Sequence, residues 1–165
     1  MKKTILASLF TVILIFYSQA QQPEKLSTSQ IYEALQKLNF LGSVLYVAAH
    51  PDDVELSCSG TLMKHIHAGM SVGIVDLTQG ELGSRGTVET RYSEAADASK
   101  IMGISERVNL KMADGFFEIN EANKCLIVEQ IRRFRPKIVL VNAVSDRHPD
   151  HGRGSQLVSE ACFLA

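Results

Sequence analysis

Two short stretches hold most of the side chains able to do chemistry. In "VLYVAAHPDDVELSCSG", residues 44 to 60, an unbroken apolar run ends on His50, Asp52 and Asp53. In "DRHPDHGRGS", residues 146 to 155, a second apolar run is followed by His148, Asp150 and His151. A catalytic zinc takes three protein ligands from histidine and carboxylate and keeps one position for water. His50 and Asp53, three apart at a strand-to-helix turn, can reach one ion, and His151 can complete the set from the other stretch. Water on such an ion reaches a pKa of ~7 and becomes a nucleophile at neutral pH. Asp52 then remains as a carboxylate able to take the proton of that water. His148 can donate to the oxygen that turns negative in a tetrahedral intermediate, and Asp150 can orient His148 or His151.

Each piece has a plainer reading. An aspartate just after a strand most often caps the next helix, and a lone H-x-x-H is more often exposed than metal-bound. His65 and His67, two apart on a helical pattern, face different directions and read as surface residues. The conjunction of two carboxylate-and-imidazole groups, each ending an apolar strand, favours a metal hydrolase. Magnesium or calcium on Asp52, Asp53 and Asp150 is the hard-cation alternative. The histidines favour a borderline metal, with zinc first and iron(II) or manganese open.

These residues must be delivered to one point by the elements before them. Strands are expected at 44–49, 72–77, 108–112 and 138–143. Helices are expected over 57–68, over 89–102 with apolar positions 95, 98, 101 and 102, over 120–135 with Asn120 as cap, and from Gly154 onward. Such alternation predicts an α/β fold, Rossmann-like, with three layers around a mainly parallel sheet. In that arrangement the strand ends share one edge, so the two stretches face each other.

The chain has 165 residues, 45% hydrophobic, with net charge −1. The length supports one domain, and the charge gives no case for nucleic acid. Lys2, Lys3, an apolar run from Ile5 to Tyr17 and the Ser18-Gln19-Ala20 site predict a signal peptide over residues 1–20 and export. The run is short for a membrane span, so no stable membrane anchor is expected. Residues 21–42 read as a leader with a short amphipathic helix, Ile31 to Leu38, and residues 43–165 as the domain. The pattern stops inside the apolar helical "SEACFLA", which suggests the N-terminal part of a longer domain. Cys58, Cys125 and Cys162 have no metal-type spacing and read as buried free thiols. The loop "GELGSRG" has neither phosphate-binding spacing, so nucleotide binding is disfavoured.

"AAHPDDVELSCSGTL" with the later "HPDH" resembles the LmbE/PIG-L-like zinc N-deacetylases, which remove acetyl from N-acetylglucosamine conjugates. "GIVDLTQGELGSRGTVETRYSEAADASKIMGI", "NLKMADGFF" and "IVLVNAVSDRHPDHGRGSQLVSEACFL" resemble the bacterial branch acting on N-acetylglucosaminyl-malate in bacillithiol synthesis. The likeness covers about residues 44–165. It implies His50, Asp53 and His151 as metal ligands, Asp52 as base, His148 on the oxyanion side and Asp150 as its partner. It also implies that Arg85 binds substrate; without the resemblance Arg85 reads as a solvated loop residue. The implied partner is a small N-acetylglucosamine conjugate, and homo-oligomer formation is left open. Bacillithiol synthesis is cytoplasmic, whereas "LNFLGSVLYVAAHPDD" is more similar to exported family members. The expectations therefore include an exported deacetylase of an envelope glycan and a non-catalytic glycan-binding protein.

Overall fold

A computed structural model of the protein describes residues 27, 29, 30 and 43–165. The expected signal peptide and the segment Ile31 to Leu38 lie outside the described residues. Ser27, Ser29 and Gln30 belong to a separate unit, Met1–Ala34, within which the Ser27 hydroxyl donates to Gln30 Oε1 at 2.9 Å.

The rest alternates strand and helix: β1 Ser43–Ala48, α1 Asp53–His67, β2 Val72–Thr78, α2 Val88–Met102, β3 Glu106–Met112, α3 Glu121–Phe134, β4 Pro136–Val141 and α4 Pro149–Leu164. The strands pair in the order β3-β2-β1-β4, all parallel. The two inner strands, β1 and β2, are almost wholly buried, which is why they read as continuous apolar runs rather than alternating ones. Successive β1 side chains serve opposite cores. Leu45 and Val47 join Val75, Ile127, Leu157 and Val158 beneath α3 and α4. Val44, Tyr46 and Ala48 join Leu62, Ile74 and Met102 beneath α1 and α2. The fold is the three-layer α/β arrangement expected, and its sheet is parallel throughout.

After β3 the chain returns across the sheet to lay β4 beside β1, so the strand order reverses between β1 and β4. Ligands of open α/β sheets gather beyond the carboxyl ends of the strands at such a reversal. Both chemistry-bearing stretches leave the sheet there.

Several element boundaries depart from expectation, each for a local reason. α1 begins at Asp53 rather than Ser57, and it is kinked at Cys58, whose φ of −147° is not helical. The apolar periodicity after the kink marked only the second half. α4 begins at Pro149, five residues before Gly154. Proline suits a first helical turn because its φ is preset and its missing N–H is not needed there. Gly152 and Gly154 therefore lie inside the helix; a Cβ on Gly154 would stand 3.1 Å from Leu77 Cδ1, so glycine lets α4 settle on β2. Ile101 is exposed beside the buried Met102, narrowing the apolar face of α2. The cysteines are not buried thiols: Cys58 is half-buried, while Cys125 and Cys162 are exposed. Cys125 lies two residues from the buried Ile127 and so faces the other side of α3.

Candidate metal centre

The site starts at the exit of β1. The backbone is held to its neighbours there: Ala49 N–H donates to Asn142 Oδ1 at 2.9 Å, and Thr78 Oγ1 donates to Ala49 O at 2.9 Å. The next residue, His50, is buried, and its N–H donates to Asp53 Oδ2 at 3.1 Å. Asn142 Nδ2 donates to the same carboxylate oxygen at 3.1 Å, so one asparagine after β4 braces both the strand end and Asp53.

The second stretch closes over the first. His151, in the first turn of α4, places Nε2 3.3 Å from Asp53 Oδ1, and His50 Nδ1 lies 3.5 Å from Asp53 Oδ2. The His50 and His148 rings meet edge-on at 4.7 Å between centroids, and those of His148 and His151 stack at 5.0 Å. One nitrogen from each of the three histidines falls within 4.8 Å of the others. The facing of the two stretches, expected from the parallel sheet, is present.

Asp52 precedes α1, yet its side chain makes no capping bond. Its carboxylate is 47% exposed and lies 3.3 Å from Arg91 Nη2. Arg91 comes from α2 and runs beneath the loop after β2. A Cβ on Gly80, whose φ is +64°, would stand 2.7 Å from Arg91 Nε, so only glycine lets the loop lie this close. Arg85, on the same loop, is exposed and makes no bond to the cluster among the described residues.

His148 caps α4, accepting the Asp150 N–H at Nδ1 over 3.3 Å. That leaves Nε2 as the protonated nitrogen of the neutral ring. The sequence predicts that Asp150 orients His148 or His151, but among the described residues its carboxylate bonds neither ring. Because α4 starts at Pro149, Asp150 turns inward and is fully buried. There it accepts from Arg153 Nη1 at 2.7 Å and Gly115 N–H at 2.8 Å, with His50 Nε2 at 3.4 Å. His65 also departs from the surface reading, its Nδ1 lying 2.9 Å from the buried Tyr46 hydroxyl; His67 is exposed.

Four residues missed in the sequence complete the surroundings: Arg91, Asn142, Asp114 and Asp146. Asp114 Oδ1 accepts from His50 Nε2 at 2.9 Å, and Asp146 Oδ2 lies 3.2 Å from His151 Nδ1. Asp146 stood in view within "DRHPDH", and Asn142 directly follows an apolar run. Asp114 and Arg91 carry no comparable mark.

The electrostatics fit a cation. Burial pulls the His50 imidazolium down, but hydrogen bonds and charge from Asp53 and Asp114 outweigh it and raise its pKa to about 9. Burial pushes the Asp53 carboxyl up, but His50, His151 and Asn142 hold it below the ordinary carboxylate value. Two imidazoles and a carboxylate form the donor set of borderline divalent metals. The far nitrogen of each imidazole meets a carboxylate, the usual backing of a metal-bound histidine. A buried alternative group, His50 with Asp114 and Asp150, is less suited, because Arg153 already neutralises Asp150.

These features define a three-layer α/β protein with a histidine–aspartate centre at the sheet reversal. The chain belongs to the PIG-L family, described as GlcNAc-PI de-N-acetylase, whose sequence pattern matches residues 45–162. It is 30% identical over 135 residues to the uncharacterized deacetylase YaiS of Escherichia coli K12, covering 78% of this chain and 72% of that protein. It is 29% identical over 140 residues to the diacetylchitobiose deacetylase of Thermococcus kodakarensis, covering 79% of this chain and 52% of that one. Among solved structures, the conserved protein TT1542 of Thermus thermophilus superposes with a TM-score of 0.70 at 44% identity, over 74% of this chain and 56% of that one. GalB, the 4-carboxy-2-hydroxymuconate hydratase of Pseudomonas putida KT2440, superposes with a TM-score of 0.67 at 25% identity, over 75% of this chain and 57% of that one. The chain thus spans little more than half the length of several relatives.

Proposed function

We propose that this chain carries the catalytic centre of a metal-dependent hydrolase that removes acetyl from an N-acetylglucosamine conjugate. The observation that carries the reading is the meeting of His50, Asp53 and His151 from two separate loops, with the His148 ring against both histidines and Asp52 adjacent in sequence to Asp53. His50, Asp53 and His151 would hold the ion, with zinc the first choice and iron(II) or manganese the alternatives. A bound divalent cation would polarise the acetamide carbonyl and lower the pKa of water to about 7.

The remaining steps belong to side chains. Asp52 accepts a proton from the attacking water, and Arg91, 3.3 Å away, restrains that carboxylate. His148 donates from Nε2 to the carbonyl oxygen as it becomes negative, since its Nδ1 is engaged by Asp150 N–H. The C–N bond breaks, the proton held by Asp52 passes to the departing nitrogen, and acetate and free amine leave. Arg85, exposed on the loop after β2, is kept as a contact for the outer part of the conjugate.

N-acetylglucosaminyl-malate is the first substrate to try, on the strength of the loop motifs. The signal-type N-terminus supports export and an envelope glycan instead. The test is acetate release from N-acetylglucosaminyl-malate and from N,N'-diacetylchitobiose by the full-length zinc-loaded protein, with metal content measured. Release from either supports the reading; none from any N-acetylglucosamine conjugate overturns it. The likeness to GalB favours a second reading, water addition to an unsaturated acid by the same base. Consumption of 4-carboxy-2-hydroxymuconate without acetate release would establish it.

A further inference from the structure

An imidazole can give only one nitrogen to a cation, so a metal-ligating histidine needs something to decide which. We infer that Asp114 is a positioning residue that makes this choice for His50, fixing Nδ1 toward Asp53 and His151. The inference rests on the metal site of the proposed function. His50 Nε2 lies 2.9 Å from Asp114 Oδ1, while Nδ1 faces the Asp53 carboxylate. With its proton committed to Asp114, Nε2 is closed to the ion and Nδ1 presents its lone pair.

Asp150 also approaches Nε2, at 3.4 Å, but its charge is already met by Arg153 and by the Gly115 N–H. Asp114 has no such cation among the described residues. Its Oδ2 accepts the Leu82 N–H at 2.9 Å, and its own N–H donates to Glu81 Oε1 at 2.8 Å. The side chain is 7% exposed, and among the described residues His50 is the one side chain that donates to it. Its backbone is held in a tight turn, with Phe116 N–H donating to Ala113 O at 3.1 Å and Gly115 at φ +73°. With this backbone and with Oδ2 on the Leu82 N–H, Asp114 gives the His50 ring a fixed anchor. The same carboxylate ties this ligand to the loop after β2 through Leu82, so the order of that loop and the hold on the metal depend on one side chain.

The test is zinc affinity, measured on the full chain by competition with a chromophoric chelator, for wild type, Asp114→Ala and Asp114→Asn. Losing a carboxylate behind a metal-bound histidine costs roughly 10- to 100-fold in affinity. That loss is expected for the alanine variant, with a smaller one for asparagine, whose oxygen still accepts from Nε2. Nitrogen NMR of the zinc-loaded wild type should show His50 protonated at Nε2 and metal-bound at Nδ1. Wild-type zinc affinity in Asp114→Ala, or metal on Nε2, overturns the inference. So does a raised KM with unchanged zinc affinity, which would make Asp114 a substrate contact. If the alanine variant does not fold, the asparagine variant and the NMR signature decide. Zinc affinity is indifferent to the reaction, so a missing deacetylase activity leaves this inference standing.

Discussion

His151 Nε2 stands 3.3 Å from Asp53 Oδ1, although one residue lies in the first turn of α4 and the other opens α1. Only the return of the chain from β3 to β4, beside β1, makes this pairing possible. If the pair is half of a metal grip, a ligand such as His151 and the neighbouring base Asp52 should separate in their effects. His151→Ala is expected to lower bound zinc from about one ion per chain to a small fraction, because two protein ligands hold zinc poorly. Asp52→Asn is expected to keep the metal and lose roughly 10²- to 10⁴-fold in turnover, the usual worth of a general base. Elemental analysis alongside kcat checks both. Equal zinc content and activity in the two variants would refute the role assignments.

Arg91 holds Asp52 from beneath a loop that glycine alone allows to lie so close. Without the guanidinium, the half-exposed Asp52 carboxylate is free to rotate toward solvent. Arg91→Met is expected to lower kcat by roughly 10- to 100-fold, the scale of a catalytic group misplaced by about an ångström. Metal content should stay normal. Steady-state kinetics paired with zinc analysis gives the answer, and full turnover in Arg91→Met would remove Arg91 from the site.

Legibility in the sequence followed burial and chemistry type. β1 and β2 were visible because both faces of each are covered, which leaves an unbroken apolar run. His50, Asp53 and His151 stood out because two groups of imidazole and carboxylate, each following an apolar run, were expected at one sheet edge. The start of α4 was not, since "HPDHGRG" contains a proline and two glycines that ordinarily break helices. Here proline occupies the first turn and Gly154 lets the helix sit close against Leu77. That misplacement hid the inward turn of Asp150, because only a helix beginning at Pro149 directs it to Arg153. Asp114 and Arg91 were hidden for another reason: an aspartate in a turn and an arginine on a polar helix face are the commonest residues in those places. Only the tertiary fold distinguishes them.

Away from the centre, Arg107 on β3 donates from Nε and Nη2 to Asp76 at 2.7 and 2.9 Å and also pairs with Glu55 on α1. Asp76 is nearly inaccessible, and its burial pushes its carboxyl upward despite the guanidinium. Arg107→Met would strand two acids in a low-dielectric site. Removing one partner from such a network costs about 3–5 kcal/mol. Urea denaturation should record that loss, and adding Asp76→Asn should recover part of it. A change below about 1 kcal/mol would mean that water already reaches these carboxylates.

Tyr46 supplies a pH dependence that no metal ligand enters. Its ring is buried beneath α1, and burial first, with the nearby Cys58 second, raises the phenol pKa to about 12. In the unfolded chain the phenol ionises near 10. Below that pH both states hold the proton, and Tyr46 adds no pH dependence. Between about 10 and 12 the unfolded chain loses its proton first, so the folded state binds more and stability falls as pH rises. Alkaline titration of phenolate absorbance should therefore show a late step that disappears in Tyr46→Phe. The variant should also lose less stability than wild type across that window. A late step that survives the substitution would assign it to another tyrosine and withdraw the claim that the fold protects Tyr46.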